Sequence, residues 1–151
     1  MSFKGLSNSY LEKLGKKLLP KTFLGVYPSD IHPKSSKKDY SFIFNTGSSN
    51  TSGEHFVAVF KTYKKVFYFD SFGVKPNKKL IQRFLHRLKL PIISFKTPLQ
   101  AEDSNFCGFY CLAFLLMKYN KIQTSAFVRL FSNTNLKQND TVVIEFILDC
   151  I

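Results

Sequence analysis

Residues 100–119 read QAEDSNFCGFYCLAFLLMKY, a polar loop that leads into a strongly apolar stretch. A strongly apolar helix is predicted from about Cys107 to Tyr119. The longest apolar run, from Phe106 to Met117, is too short to span a bilayer and is interrupted by Gly108. Its apolar residues surround the predicted helix instead of lining one side of it, which is typical of a buried helix. We therefore predict a buried central helix that begins at Cys107, and we expect no transmembrane segment.

The segments around this helix predict an α+β fold. Strands are predicted over residues 40–45, 55–60, 66–70 and 91–95, and the second and third of them are expected to pair antiparallel. A helix capped by Ser9 precedes them, and residues 27–38 are predicted to form a surface loop. Helices are also predicted over 124–131 and 140–148, the latter capped by Asn139 or Asp140. The expected architecture is a central mixed or antiparallel sheet packed between helices.

The segment 76–89 predicts an amphipathic helix with a basic back. Its apolar side contains Leu80, Ile81, Phe84, Leu85 and Leu88, and its basic side contains Lys78, Lys79, Arg83 and Arg87. Over the whole chain, Lys and Arg outnumber Asp and Glu by 22 to 10, which gives a net charge of +12. This excess favours contact with a polyanion, and a solvated basic surface is the alternative explanation.

Length and cysteine content favour one reduced, intracellular domain. The 151 residues, of which 44% are hydrophobic, suit a single domain over residues 1–151. The three cysteines, Cys107, Cys111 and Cys150, cannot all pair within the chain, and the first residues lack the features of a secretory signal. A metal site is not expected, because the Cys107 and Cys111 pair has no second pair of ligands nearby in sequence.

Cys107 is the candidate nucleophile. It lies where the polar loop meets the predicted helix, and the positive end of a helix favours a thiolate. The adjacent Gly108 would let a substrate backbone approach closely. Cys111 lies one turn further into the helix and is expected to belong to the core. Taken alone, Cys107 would also be explained as a small core residue.

His55 and Asp70 are candidates for a base and the group that orients it. His55 begins one predicted strand after a glycine-containing loop, and Asp70 ends the next strand. If these strands pair through the short turn between them, both side chains emerge at the same edge of the sheet. Taken alone, Asp70 is better explained as a turn or cap residue before Ser71 and Gly73. Gln100 lies on the loop before Cys107, where its amide could face an oxyanion, although an exposed loop glutamine is the default reading.

The chain resembles the adenovirus-type cysteine proteases, known as the adenain family, and the related proteases of Polinton-type mobile elements. The resemblance is carried by the segments FLGVY at 23–27, FNTG at 44–47, GEHF at 53–56, YFDSFG at 68–73 and Gln100-x6-CGFYC up to Cys111. It implies a papain-like or adenain-like fold. It also implies that His55 is the base, that Asp70 orients it, that Gln100 helps to form the oxyanion hole, and that Cys107 attacks the carbonyl.

The resemblance extends to the residues around the histidine. Gly53, Glu54, Phe56 and Gly108 are expected to contact substrate. Family members usually carry Trp after the catalytic His, so Phe56 is expected to supply the ring near the imidazole. The adenoviral enzymes use Glu where this chain has Asp70, whereas Asp is usual in the wider clan that includes the SUMO proteases.

The family also suggests cofactors and a location. The adenoviral enzymes are activated by a viral peptide joined through a disulfide, but the segment between Gly73 and Gln100 contains no cysteine, so that mode of activation is not expected. They also use DNA, which Lys78, Lys79, Arg83 and Arg87 could bind as an activating polyanion. No other cofactor is required for the chemistry. A monomer in the host nucleus or cytoplasm, or packaged in the virion, is expected.

The function predicted from the sequence is that of a cysteine endopeptidase that processes viral or mobile-element structural precursors and cleaves after glycine. Two alternatives stay open at this stage. A protease of the same site could release ubiquitin-like modifiers, whose tails also end in glycine. A non-catalytic basic domain that binds nucleic acid would explain the charge equally well.

Overall fold

A computed structural model of the chain describes residues 7–47 and 55–151. The expected substrate-binding residues Gly53 and Glu54 lie outside the described residues. The helices are α1 (Asn8–Leu18), α2 (Lys79–Arg87), α3 (Cys107–Tyr119), α4 (Thr124–Val128) and α5 (Asn139–Cys150), with a 3₁₀ turn at Leu136–Gln138. The strands are β1 (Phe23–Pro28), β2 (Tyr40–Asn45), β3 (Phe56–Lys61), β4 (Val66–Phe69) and β5 (Ile92–Ser94).

Within the described ranges, these strands form one mixed sheet whose spatial order follows the chain. Strand β3 is antiparallel to β2 and to β4, whereas the edge strands β1 and β5 pair in parallel with β2 and β4. In the β3–β4 hairpin, Lys61 lies opposite Val66 and Ala58 lies opposite Phe69. The residues just before β3 and just after β4 therefore emerge at the same end of the sheet, as the sequence predicts.

The sheet is covered on both faces because alternate strand residues point to opposite sides. Ala58 belongs to a core cluster with residues of α1, α3, α4 and α5, whereas Val57 and Val59 belong to a second cluster with residues of α2. Helix α3 is buried from Gly108 to Met117. The predicted buried central helix and the predicted α+β architecture are confirmed.

Strand β1 is the element that the sequence did not predict. Its bulged pairing with β2, between Phe23 and Val26, includes Gly25, and the strand ends at Pro28. Glycine and proline both weaken the sequence signal of a strand, and proline is tolerated here because β1 lies at the edge of the sheet. The predicted surface loop consequently starts after Pro28.

Two predicted caps are wrong. Helix α1 is capped by the hydroxyl of Ser7, which accepts a hydrogen bond from the backbone N–H of Tyr10, rather than by Ser9. Helix α5 begins at Asn139 without a side-chain cap. The side chains of Asn139 and Asp140 bind other segments instead, so tertiary contacts override the local capping preference.

Helix α2 is shorter than predicted, and its apolar side is narrower. Ile81, Phe84 and Leu85 are buried against the sheet, but Leu80, predicted on the same side, is 36% exposed. No helix in the described ranges is both long and apolar enough to cross a membrane.

Candidate active site

His55 and Asp70 meet at the open end of the β3–β4 hairpin. His55 Nε2 lies 2.9 Å from Asp70 Oδ1, and the two side chains are 18% and 10% exposed. The backbone carbonyl of His55 also accepts a hydrogen bond from Thr46 N–H at 2.8 Å, which ties the residue to the end of β2. The histidine is therefore held through both its backbone and its ring.

Cys107 begins helix α3 and is half-buried. Burial by itself would lower the pKa of His55, but hydrogen bonds to Asp70 and to Cys107, together with their negative charges, raise that pKa to about 9. An imidazole with this pKa stays protonated at neutral pH and stabilises a nearby thiolate. Cys107, His55 and Asp70 thus form a connected series of the kind that generates a thiolate nucleophile.

Cys111 does not share this environment. It is fully buried, and burial together with the nearby Cys107 and Asp70 raises the pKa of its thiol well above the usual value. Cys150 is exposed at the end of α5, and its pKa is raised by partial burial and by Asp149. A neutral thiol is a poor nucleophile, so Cys107 is the cysteine suited to chemistry.

Phe72, rather than Phe56, supplies the ring against the imidazole. The ring centroids of Phe72 and His55 are 4.9 Å apart at an interplanar angle of 31°. The backbone N–H of Phe72 also donates to Asp70 Oδ1 at 2.8 Å, the same oxygen that contacts His55. Phe56 packs against the core cluster on the α3 side of the sheet. The sequence signal for Phe72 was its position in the Asp-Ser-Phe-Gly turn directly after a strand.

Gly73 closes that turn and brings it against the segment leading to Gln100. Its φ of +73° is unfavourable for other residues, and its N–H donates to the carbonyl of Asp70 at 2.8 Å. A side-chain carbon at this position would lie 2.8 Å from the carbonyl oxygen of Lys96. Glycine is therefore required for the close approach of the two segments.

Gln100 is 2% exposed, and both ends of its amide are engaged. Its Oε1 accepts from the Ser71 hydroxyl at 2.5 Å, and its Nε2 donates to the carbonyl and hydroxyl oxygens of Ser104, each at 3.0 Å. The carbonyl of Ser104 can only accept, which fixes which end of the amide carries the N–H groups. Gln100 is thus a buried, oriented group and not an exposed loop residue.

The remaining predicted site residues lie apart from this series or within α3. Gly108 is buried in the first turn of α3, next to Cys107. Lys78, Lys79, Arg83 and Arg87 are all exposed, on or directly before α2, which covers the opposite face of the sheet from α3. Residues 7–47 and 55–151 contain no group of three or more His, Cys, Asp or Glu side chains arranged to hold a metal ion.

Neither a known family profile nor a curated protein matches the sequence. The fold, however, matches solved structures. The crystal structure of the ASFV pS273R protease superimposes with a TM-score of 0.70 at 16% identity, covering 95% of this chain and 66% of that one. A selenomethionine crystal structure of the same protease gives 0.57 at 19% identity, covering 76% and 44%.

The SUMO protease Ulp1, with its catalytic cysteine oxidised to a sulfinic acid, matches with a TM-score of 0.56 at 12% identity, covering 99% of this chain and 80% of that one. This chain therefore spans less than two thirds of the viral protease chains and most of Ulp1. At such low identities the likeness establishes a common fold. The fold is that of the pS273R and Ulp1 cysteine proteases, which confirms the predicted fold class.

Proposed function

We propose that the chain is a cysteine endopeptidase of the adenain type, with Cys107 as nucleophile, His55 as base and Asp70 as the group that orients the base. The observation that carries this proposal is the hydrogen bond between Asp70 and His55, together with Cys107, which lies at the N-terminus of a buried helix and close enough to His55 to raise the pKa of its imidazole. The fold shared with two kinds of cysteine protease supports it.

Catalysis begins from the state in which the thiol proton of Cys107 has been transferred to His55, which leaves a thiolate and a protonated imidazole. The raised pKa of His55, about 9, means that this proton is held at neutral pH. The thiolate attacks the carbonyl carbon of the scissile bond, and a C–S bond forms as the carbonyl becomes an oxyanion. The C–N bond then breaks, and His55 gives its proton to the leaving amine. Water, deprotonated by His55, attacks the thioester, and cleavage of the C–S bond releases the acid and restores the cysteine.

The start of α3 supplies donors for the oxyanion. The first N–H groups of a helix have no acceptor within the helix, and the phenyl side chain of the N-cap residue Phe106 cannot accept from them. The backbone N–H groups of Cys107 and Gly108 are thus suited to an oxyanion. Gln100 adds its Nε2 when it shares one N–H group between Ser104 and the oxyanion.

The proposed substrates are viral or mobile-element structural precursors cleaved after glycine. Support comes from the sequence resemblance and from the buried Gly108 beside the nucleophile, since a small residue there lets a substrate backbone approach. Phe56 is half-buried at the start of β3, beside His55, and its substrate contact is part of the same proposal.

The decisive experiment treats the full chain with a peptide electrophile that ends in glycine, followed by mass-spectrometric mapping of the adduct. The expected result is a single adduct on Cys107, which Cys107→Ala abolishes and Cys111→Ala retains. Labelling of Cys111 or Cys150 instead, or no labelling at all, would overturn the proposal. In the latter case the non-catalytic nucleic-acid-binding domain becomes the better explanation.

Release of ubiquitin-like modifiers is the second candidate function. It is favoured by the match to Ulp1, a SUMO protease, which extends over 99% of this chain. Parallel assays with a modifier–lysine conjugate and with a capsid-type peptide containing an internal glycine separate the two functions. Cleavage of the peptide but not of the conjugate is expected, and the reverse result would favour deconjugation.

DNA is proposed as an activating polyanion that binds Lys78, Lys79, Arg83 and Arg87. These side chains are exposed on one helix, away from the nucleophile. Added duplex DNA should raise the cleavage rate at low salt, and replacing the four cations by glutamine should remove this response without changing the rate in its absence. Activity that responds to neither DNA nor salt would contradict it. A monomer in the host nucleus or cytoplasm, or in the virion, remains part of the proposal.

A further inference from the structure

A second hydrogen-bonded series, outside the catalytic one, connects α5 with the loop before Cys107. Asp140 Oδ1 accepts from the Ser104 hydroxyl at 2.8 Å and from the Tyr110 hydroxyl at 2.9 Å. Ser104 Oγ in turn accepts from Gln100 Nε2 at 3.0 Å and from the backbone N–H of Phe106 at 3.3 Å. Asp140 Oδ1 is thus linked, through the Ser104 hydroxyl, to Gln100 and to Phe106, the residue before Cys107.

The hydrogen bonds of Ser104 leave its hydroxyl a single orientation. A hydroxyl has one proton to donate and two lone pairs to accept with. Both lone pairs receive N–H groups, from Gln100 and Phe106, so the proton must point to Asp140, which can only accept while ionised. Without that oxygen, the proton loses its acceptor and the hydroxyl is no longer held in this orientation.

Gln100 is also fixed from its other end. Ser71, which directly follows Asp70, donates its hydroxyl proton to Gln100 Oε1. The backbone carbonyl of Ser71 accepts the N–H groups of Leu99 at 2.8 Å and Gln100 at 3.1 Å. The amide of Gln100 therefore lies between the turn that carries Asp70 and the hydroxyl that Asp140 orients.

We propose that Asp140 is a positioning residue that acts through Ser104 to hold Gln100 and the backbone before Cys107 in place for oxyanion stabilisation. This role rests on the proposed protease function. It is distinct from thiolate formation, which depends on His55 and Asp70.

The geometry distinguishes two substitutions of Asp140. Both hydroxyls bind the same atom, Oδ1, and an asparagine would present a carbonyl oxygen with two lone pairs at that position. Asp140→Asn should therefore keep the orientation of Ser104, with somewhat weaker hydrogen bonds. Asp140→Ala removes the acceptor altogether.

The test compares turnover with simple alkylation in the full chain. Turnover is followed with a fluorogenic peptide amide ending in Gly-Gly, and alkylation of Cys107 with iodoacetamide, which requires the thiolate but forms no oxyanion. Asp140→Ala should lower kcat/KM about 10- to 100-fold, mainly through kcat, and change the alkylation rate less than about twofold. Asp140→Asn should stay within about threefold of wild type. Glu145→Gln, which removes an exposed charge from the same helix, is the matched control and should behave as wild type.

A double variant tests whether Asp140 acts through Ser104. Ser104→Ala alone should lower kcat/KM by a similar factor, and adding Asp140→Ala should cause little further loss, because both changes break the same connection. Independent losses that multiply would overturn the role of Ser104 as the link. Ser104 lies in a partly exposed loop, so this variant remains informative if Asp140→Ala fails to fold.

The outcomes separate the two proposals. Wild type that neither cleaves the peptide nor is alkylated at Cys107 would overturn the protease function, and the positioning role with it. Active wild type with unaffected Asp140→Ala would overturn the positioning role alone. An equal loss of turnover and alkylation in Asp140→Ala, unrescued by Asp140→Asn, would show a purely structural contribution and also overturn it.

Discussion

The two halves of the candidate site are held in different ways. His55 and Asp70 lie at the ends of adjacent strands, 15 residues apart in sequence, and the hairpin between them sets their distance. Gln100 and Ser104 lie in a loop, and their partners Ser71 and Asp140 are 29 and 36 residues away. The half that we propose forms the thiolate is thus set by local strand pairing, whereas the half that we propose binds the oxyanion depends on the assembled tertiary structure.

Removing the proposed nucleophile should disable both halves of the site and cause the largest loss of activity. Cys107→Ala is expected to lower peptide hydrolysis by at least about 10⁴-fold, because no other cysteine in the described residues shares its partners. Cys111→Ala is the matched control; it deletes a buried sulfur and should cost about 1 to 2 kcal/mol of stability with little effect on turnover. Hydrolysis rates and thermal unfolding check both. A residual rate in Cys107→Ala close to wild type would exclude it as the nucleophile.

Asp70→Ala should break only the half that forms the thiolate, lowering kcat about 10³-fold. In the folded protein the pKa of His55 is raised from 6.5 to about 9. The protonated imidazole therefore stabilises the fold fully below pH 6.5, and this stabilisation is lost as the pH rises through about 9. The alkaline limb of kcat/KM should accordingly lie near pH 9 in wild type. In Asp70→Ala, which removes the largest contribution raising that pKa, the limb should move to lower pH.

The conservative variant provides the control for this prediction. Asp70→Asn keeps an oxygen for His55 and Phe72 but removes the charge, so its kcat and its alkaline limb should lie between those of wild type and Asp70→Ala. Measured pH profiles of the three proteins are compared. An unchanged alkaline limb in both variants would show that Asp70 does not set the protonation of His55.

Gln100→Met should break the other half alone. The side chain keeps its approximate volume and loses both hydrogen-bonding groups, leaving Ser71 and Ser104 without their partner. We expect kcat to fall about 10- to 100-fold, as for the loss of one oxyanion donor, with the alkaline limb still near pH 9. A shift of that limb would mean that the two halves are not separate.

Phe72→Leu should have the smallest effect. It removes the ring that lies 4.9 Å from the imidazole but keeps the backbone N–H that binds Asp70. A loss of about 1 kcal/mol in stability and a two- to fivefold fall in kcat are expected. Thermal unfolding and steady-state rates measure these effects. A fall as large as that of Asp70→Ala would show that the ring contributes as much as the carboxylate to the orientation of His55.

The sequence allowed much of the half that forms the thiolate to be predicted. Two short apolar runs, one before Lys61 and one after Lys65, predict a hairpin, and a hairpin necessarily brings its two outer ends together. Cys107 was identifiable because a polar loop gives way to an apolar helix at that residue. The ring beside the imidazole could not be assigned from the sequence, since Phe56 lies next to His55 and Phe72 lies close to Asp70. Only the direction of the two side chains distinguishes them.

Most of the half that contains Gln100 and Ser104 could not be predicted from the sequence. Gln100 was identified as a candidate, but its burial and its partners were not predicted, and Ser104 has no distinctive sequence pattern. Asp140 was interpreted as a helix cap because its neighbours favour a helix start, yet its carboxylate binds Ser104 and Tyr110. A capping preference amounts to about 1 kcal/mol, which a buried hydrogen-bonded partner readily outweighs.

The sequence by itself determined the buried helix that begins at Cys107 and the hairpin that joins His55 to Asp70, because both follow from local runs of apolar residues bounded by polar loops and turns. Only the tertiary structure decided which ring covers the imidazole, how Gln100 is oriented, and that Asp140 lies within reach of Ser104. These contacts join segments that are distant in the chain, and their geometry exists only once α3, α5 and the sheet have packed together.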